Sequence, residues 1–194
     1  MVRNNEVRQI ESYRSRFEDL YERFNRREWV HPDPLEFLYR YEDIRDREIV
    51  GLISALLAYG RVAQILASVQ RALERMEHPR EFVENHSPRE MGLFFEDFRH
   101  RFTTGRALAG LLSGVKRALA EYGSLEGCFR TGLEPGHETV MLALEKMAAY
   151  LAVDCGDPGC WILPSPELGG ACKRLHLYLR WMVRSDAVDP GGWQ

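Results

Sequence analysis

The sequence predicts an all-α fold, a multi-helix globular domain, and three observations carry that prediction. Apolar residues recur at spacings of three and four along most of the chain. Capping signals stand at fixed offsets ahead of these runs. No stretch alternates apolar and polar residues for long enough to suggest a sheet. With 194 residues, 45% of them apolar and 28% charged, the chain is long enough to bury a substantial core without disulfides. Residues 1–194 are read as one helical domain, with two lobes meeting near the 59–61 and 154–173 loops as the alternative.

Residues 6–28 carry Ile10, Tyr13, Phe17, Leu20, Tyr21 and Phe24 at helical spacing. Asp33-Pro34-Leu35-Glu36 is a start signal: a cap, a proline at the first helical position, and a glutamate three residues after the cap. Residues 46–58 are apolar nearly all round, which places that helix in the middle of the core. Tyr59-Gly60-Arg61 interrupts it, and an amphipathic helix follows over 62–76 through Val62, Ile65, Val69, Leu73 and Met76. His78-Pro79-Arg80-Glu81 and Ser87-Pro88-Arg89-Glu90 are further start signals. Helices are then predicted over 89–99, 105–121, 125–131 and 137–153, with Gly123-Ser124 as a stop followed by a new cap. Residues 154–168, rich in Pro, Gly and Asp, read as a loop.

Composition narrows the function. A net charge of −3 means that the surface as a whole does not attract nucleic acid, so any such site must be a local basic patch. Residues 99–117 offer one: Arg99, His100, Arg101, Arg106, Lys116 and Arg117 occur there with no acid among them. No apolar core follows Met1-Val2-Arg3-Asn4-Asn5, so a signal peptide is not expected, and no segment reaches the length of a membrane span. The protein is read as cytoplasmic, with reduced thiols. Cys155 and Cys160 have spacing that begins a metal site, and Cys172 and His176 sit one helical turn apart, but nothing completes a ligand set. Neither a metal nor a cofactor is assigned. The acids Glu42, Asp43, Asp46 and Glu48 flank a helix start, where they suit the dipole.

The stretch Gly169-Gly170-Ala171-Cys172-Lys173 reads as a glycine turn opening into a helix with a lysine in its first turn. That position disfavours an ammonium and favours the free amine a Schiff-base nucleophile needs. Lys173, His176, Arg180 and Arg184 then follow at spacings of three and four as one basic stripe.

Two segments together resemble the helix-hairpin-helix DNA glycosylases. Glu48 through Arg61, continuing to Ile65, is similar to their central buried helix with the loop and helix after it. Gly170 through Arg184 is similar to their glycine turn, catalytic lysine and following helix. More closely, the chain resembles the bacterial family labelled domain of unknown function 2400. The landmarks are Pro32-Asp33-Pro34, Ala58-Tyr59-Gly60-Arg61, Arg99-His100-Arg101-Phe102, Tyr122-Gly123-Ser124-Leu125, and Cys172-Lys173-Arg174-Leu175 through Arg180-Trp181-Met182-Val183-Arg184.

The glycosylase resemblance implies a DNA partner. The turn at Gly170 would hold a phosphate on backbone amides, and Lys173 would attack the sugar of a flipped nucleotide. Tyr59, Gly60 and Arg61 would enter the duplex, and Arg174, Arg180 and Arg184 would bind phosphate. The chain departs from that pattern in three ways. Two residues rather than one separate Gly170 from Lys173, and Leu163-Pro164-Ser165 replaces Leu-Pro-Gly. No Asp-Thr-His motif occurs, which implies a fold incomplete at the C-terminus. Asp189, after Val188, stands where a substitute acid would, although Pro190 and Gly191 beside it also read as a turn.

Plainer readings stand beside these. Lys173 reads equally as an exposed lysine at a helix rim, the arginines as a solvated or ion-paired face, and Tyr59 as a buried loop residue. Trp181 and the pairs Phe94-Phe95 and Phe98-Phe102 are expected in the core. His100 and Arg101 suit either a phosphate or a helix C-terminus. The leading expectation is a DNA glycosylase or abasic-site lyase. The rival is a non-catalytic helical module that binds nucleic acid or protein. An incomplete fold would instead expose Leu175, Tyr178, Leu179 and Met182.

Overall fold

A computed structural model of the chain describes residues 2–154 and 162–193. It is mostly helical. Helix α1 (Val2–Phe24) leads into a 3-10 turn over Pro34–Arg40. Then come α2 (Ile44–Leu56), α3 (Val62–Glu74), α4 (Pro79–Asn85) and α5 (Pro88–Phe94). A two-stranded hairpin, β1 (Arg99–His100) with β2 (Thr103–Thr104), follows. The chain continues with α6 (Gly105–Tyr122), α7 (Leu125–Arg130), α8 (Met141–Ala152) and α9 (Lys173–Val183). Among the described residues no helix is long and apolar enough to cross a membrane. Cys155 and Cys160 lie outside the described residues.

Helix α2 is the axis of the core, as its all-round apolarity predicts: Ile49, Val50, Leu52, Ile53, Ala55, Leu56 and Leu57 are fully buried. Its principal partners are α9 and the 3-10 turn. Gly51 permits the approach of α9, since a β-carbon there would lie 3.2 Å from the Met182 sulfur and 3.3 Å from the Tyr178 ring. Helix α6 is the second axis, with α5, α7 and α8 against it. Leu175, Tyr178, Leu179 and Met182, the residues a missing segment would expose, are all buried. Residues after α9 help to cover them: the Trp193 amide donates to the Met182 carbonyl (2.9 Å), and the Trp193 ring packs edge-on to Tyr178.

Several start signals act as the sequence indicates. The Asp33 carboxylate accepts from Leu35 N, Ser87 and Glu90 form a reciprocal capping box, and Ser124 caps α7. Gly123 ends α6 in the left-handed region at φ 78°. Several boundaries differ from expectation, that of α1 among them: it spans Val2–Phe24 rather than 6–28. Helix α8 begins at Met141 rather than 137, and the helix expected over 89–99 stops at Phe94. Residues 99–104 form the hairpin instead; strands of two residues are too short to leave a period-two signal.

The acids before and within α2 do suit helix N-termini, but not all of them serve their own helix. Asp43 caps α2 through Arg45 N (2.8 Å). Asp46 accepts from Arg80 N in the first turn of α4 (2.7 Å), where His78 offers no side-chain cap. Glu48, 2% exposed, accepts from Leu125 N (3.0 Å) and Glu126 N (3.3 Å), the first turn of α7. Three acids at the start of α2, Asp43, Asp46 and Glu48, thus fasten three helix starts.

Burial pushes the Glu48 carboxyl up from 4.5 to about 6, against the pull of the Leu125 and Glu126 amides. Ionising it therefore costs more in the folded protein than in the unfolded chain. The associated stability is fully present below the unfolded value of 4.5 and is lost as pH rises through about 6. The loss amounts to about 2 kcal/mol. Glu48→Gln keeps an acceptor for the α7 amides and cannot ionise, so its urea-unfolding free energy should vary less with pH across that window. Equal pH slopes in the two proteins would refute the assignment.

Candidate nucleic-acid interface

The loop that ends α2 and the hairpin after α5 are built as one unit. Gly60 adopts φ 102°, which only glycine takes without strain, and a β-carbon there would lie 2.8 Å from the Arg101 Cδ. Arg101 itself lies in the left-handed region, at φ 51° in the hairpin turn. The Tyr59 phenol sits beneath that turn. It donates to the His100 carbonyl (2.9 Å) and accepts from Thr103 N (3.2 Å), with the Thr103 hydroxyl 2.7 Å away. His100, 2% exposed, returns the connection. Its Nε2 lies 3.0 Å from the Tyr59 carbonyl, which can only accept, so Nε2 carries the proton. Nδ1 then accepts from the Ser68 hydroxyl at 2.9 Å. Burial lowers the pKa of His100 and keeps this arrangement neutral.

On the outside of this lock lies a shallow pocket of about 280 Å³. Gln64, Ser68 and Arg71 of α3 form one wall, and Arg99, His100 and Arg101 form the other. No carboxylate lines it. Arg71 is braced toward the hairpin, donating to the Arg99 carbonyl (3.1 Å) and to Ser68 Oγ (3.3 Å). Arg99 and Arg101 are exposed and carry no ion pair among the described residues. Arg61, the residue ahead of α3, is likewise exposed, with no side-chain capping bond. Arg71, Arg99 and Arg101 thus gather positive charge around a pocket with no carboxylate in its lining.

The two segments singled out in the sequence do meet. The Arg174 guanidinium lies 5.0 Å from the Tyr59 ring centre and donates to the carbonyls of Leu56 and Ile162 (3.0 Å to the latter). Arg174 thus ties α9 to the end of α2, as a structural arginine. Lys173 opens α9, is exposed, and has no hydrogen bond or ion pair among the described residues. The left-handed residue before it is Cys172 (φ 44°) rather than a glycine, and open space surrounds the position of a β-carbon on Gly170.

The far end of α9 is a separate cluster. Asp189, 0% exposed, receives Arg180 Nε (3.0 Å) and lies 3.5 Å from Arg184 Nε. Arg184 also pairs with Asp186 (2.7 Å) and donates to the Tyr21 hydroxyl. Asp186 accepts from the amides of Val188 and Asp189, the turn that Pro190 and Gly191 suggest. Arg180 and Arg184 therefore both turn to one oxygen of Asp189, toward the opposite end of α9 from Lys173. The helix separates Lys173 from Arg180 by about 10 Å along its axis and from Arg184 by about 16 Å.

A family model described as "Protein of unknown function (DUF2400)" matches residues 33–194. The chain belongs to this family. Every residue of the interface lies inside the matched range, whereas α1 precedes it. No curated protein and no solved structure matches the chain.

In this DUF2400 protein the hairpin holds most of what sequence reasoning missed. Phe98 is buried as expected, but Phe102 is 72% exposed; Phe95 is buried and Phe94 is half exposed. Trp181 is in the core as expected. His100 is a buried lock, while its neighbour Arg101 faces the pocket. Gln64, Ser68 and Arg71 escaped notice although their spacing of four and three puts them on one polar face of α3, opposite Ile65, Val69 and Leu73.

Proposed function

We propose that this DUF2400 protein binds DNA, gripping the phosphate backbone with the face formed by Arg61, α3 and the hairpin. The observation that carries this reading is the convergence of Arg71, Arg99 and Arg101 on one pocket without a carboxylate, in a chain whose net charge is −3. Guanidinium groups hold phosphate bidentately, and the braced hairpin fixes their spacing in advance. Three neutralised phosphates imply a salt slope near −2.7, so affinity should fall about 40-fold between 50 and 200 mM salt. Fluorescence anisotropy of a labelled duplex across a salt series tests this. Affinity indifferent to salt would remove the arginines from the interface.

A second reading rests on the exposed amine of Lys173 at the start of α9, which has no hydrogen bond or ion pair among the described residues. Base excision by the glycosylase route needs a carboxylate beside that amine, and Asp189 is held by Arg180 and Arg184 instead. Abasic-site lyase chemistry asks less. The amine adds to the sugar aldehyde and expels water to give an imine; loss of the adjacent proton then releases the 3′ phosphate. Borohydride would trap that imine on abasic DNA. An adduct undiminished in Lys173→Ala would sink the assignment, and DNA binding without any adduct would leave the binding module alone.

A further inference from the structure

We infer that Phe102 is a base-stacking residue, and that the DNA this protein prefers is one in which a base face is accessible, as at a gap or an unpaired nucleotide. The inference rests on the DNA-binding reading above and adds to it what is recognised beyond the phosphates.

Phe102 is a large apolar side chain left 72% exposed. A phenylalanine so exposed loses the burial that ordinarily favours it. It stands on the tip of a hairpin whose strands are two residues each, directly after the left-handed Arg101. An unsupported hairpin of that length has no stability of its own. This one is held from below at several points. The Tyr59 phenol binds both strands, His100 binds Ser68 and the Tyr59 carbonyl, and Gly60 leaves room for the Arg101 side chain. The fold therefore presents the ring from a braced support.

The surroundings select the partner. The Arg101 guanidinium lies 5.7 Å from the Phe102 ring centre, and the arginine-lined pocket begins at Arg101. An apolar protein partner would meet these unneutralised cations at the edge of the contact. A nucleic acid offers what both groups need, a π-face for the ring and phosphates for the arginines. A continuous duplex conceals its base faces by stacking, whereas a gap exposes one at little cost. The same geometry would allow Phe102 to enter a weakened step while Arg71 and Arg99 hold the flanking phosphates.

The test measures affinity for a labelled duplex and for the same duplex with a one-nucleotide gap, using wild type, Phe102→Ala, Phe102→Leu and Phe102→Tyr. Wild type should prefer the gapped duplex. Phe102→Ala should lose about tenfold on the gapped duplex, in line with the loss of one base–aromatic stack, and little on the intact one. Phe102→Tyr should keep the preference, and Phe102→Leu should not. An aminopurine placed at the gap should change its emission on binding wild type but not Phe102→Ala. Because the side chain is exposed, the variants should melt with wild type. If Phe102→Ala keeps the gap preference while binding remains salt-dependent, stacking is wrong and the arginine reading stands. If Phe102→Leu matches wild type, the contact is merely apolar and stacking is again wrong. If wild type binds neither duplex at low salt, both readings fall together.

Discussion

Replacing Gly105 by alanine should destabilise the protein by about 3 kcal/mol, at the upper end of what overpacking costs. The first residue of α6 lies directly against the backbone where α5 ends: a β-carbon on Gly105 would stand 1.5 Å from the Phe95 carbonyl oxygen and 2.6 Å from its carbon. A backbone carbonyl cannot swing aside as a side chain can. Helices α5 and α6 would have to separate, opening the contact beneath Phe95 and Leu108, both fully buried. For a protein of this size the melting temperature should fall by about 6–12 °C. Gly92 provides the control. It lies within α5, and nothing is within 4 Å of its β-position. There the same substitution relieves only the backbone entropy of glycine and should stabilise by about 0.5–1 kcal/mol. Calorimetry of both variants checks the pair. Equal and small effects would mean that α5 and α6 do not approach so closely.

That contact also marks where the sequence was legible and where it was not. The α2 core helix could be read because apolar residues fill all its faces between Ile49 and Leu57, and the caps at Ser87 and Ser124 because each acts within four residues of its target. Glu48 could not be read this way. Its acidic neighbours suggested a service to α2, yet it fastens α7, more than seventy residues along the chain, and local spacing contains no information about such a partner. The candidate site divides similarly. The acid-free run beginning at Arg99 and the Tyr59-Gly60-Arg61 break were visible as separate features. Their union was not, because it depends on the Tyr59 hydroxyl reaching Thr103 and His100, a contact across 41 and 44 positions. The basic stripe of α9 misled for a related reason. Helical spacing puts Arg180 and Arg184 on one face but says nothing of the C-terminal turn that returns Asp186 and Asp189 to them.

Reversing Arg61 and Arg99 together to glutamate should weaken DNA binding by about 100-fold or more at low salt, as two phosphate-facing cations become anions beside the same backbone. These two are the informative choices because neither holds the fold. Arg99 and Arg61 are exposed, and neither side chain makes a hydrogen bond among the described residues. Arg71, by contrast, supports the Arg99 carbonyl, and Arg174 supports the carbonyls of Leu56 and Ile162, so their loss would confuse binding with stability. At position 61 the new carboxylate would even sit at the positive end of α3, where an acid contributes about 0.3–1 kcal/mol. The double variant should therefore melt no lower than wild type while its anisotropy titration shifts. Its salt dependence should also flatten, by about 0.9 in slope for each phosphate contact removed. Arg180→Glu, at the other end of α9, should leave affinity unchanged, since Arg180 faces Asp189. If the two proteins behave the other way round, losing binding at Arg180 and keeping it at Arg61 and Arg99, the interface lies on α9 and the hairpin face is not it.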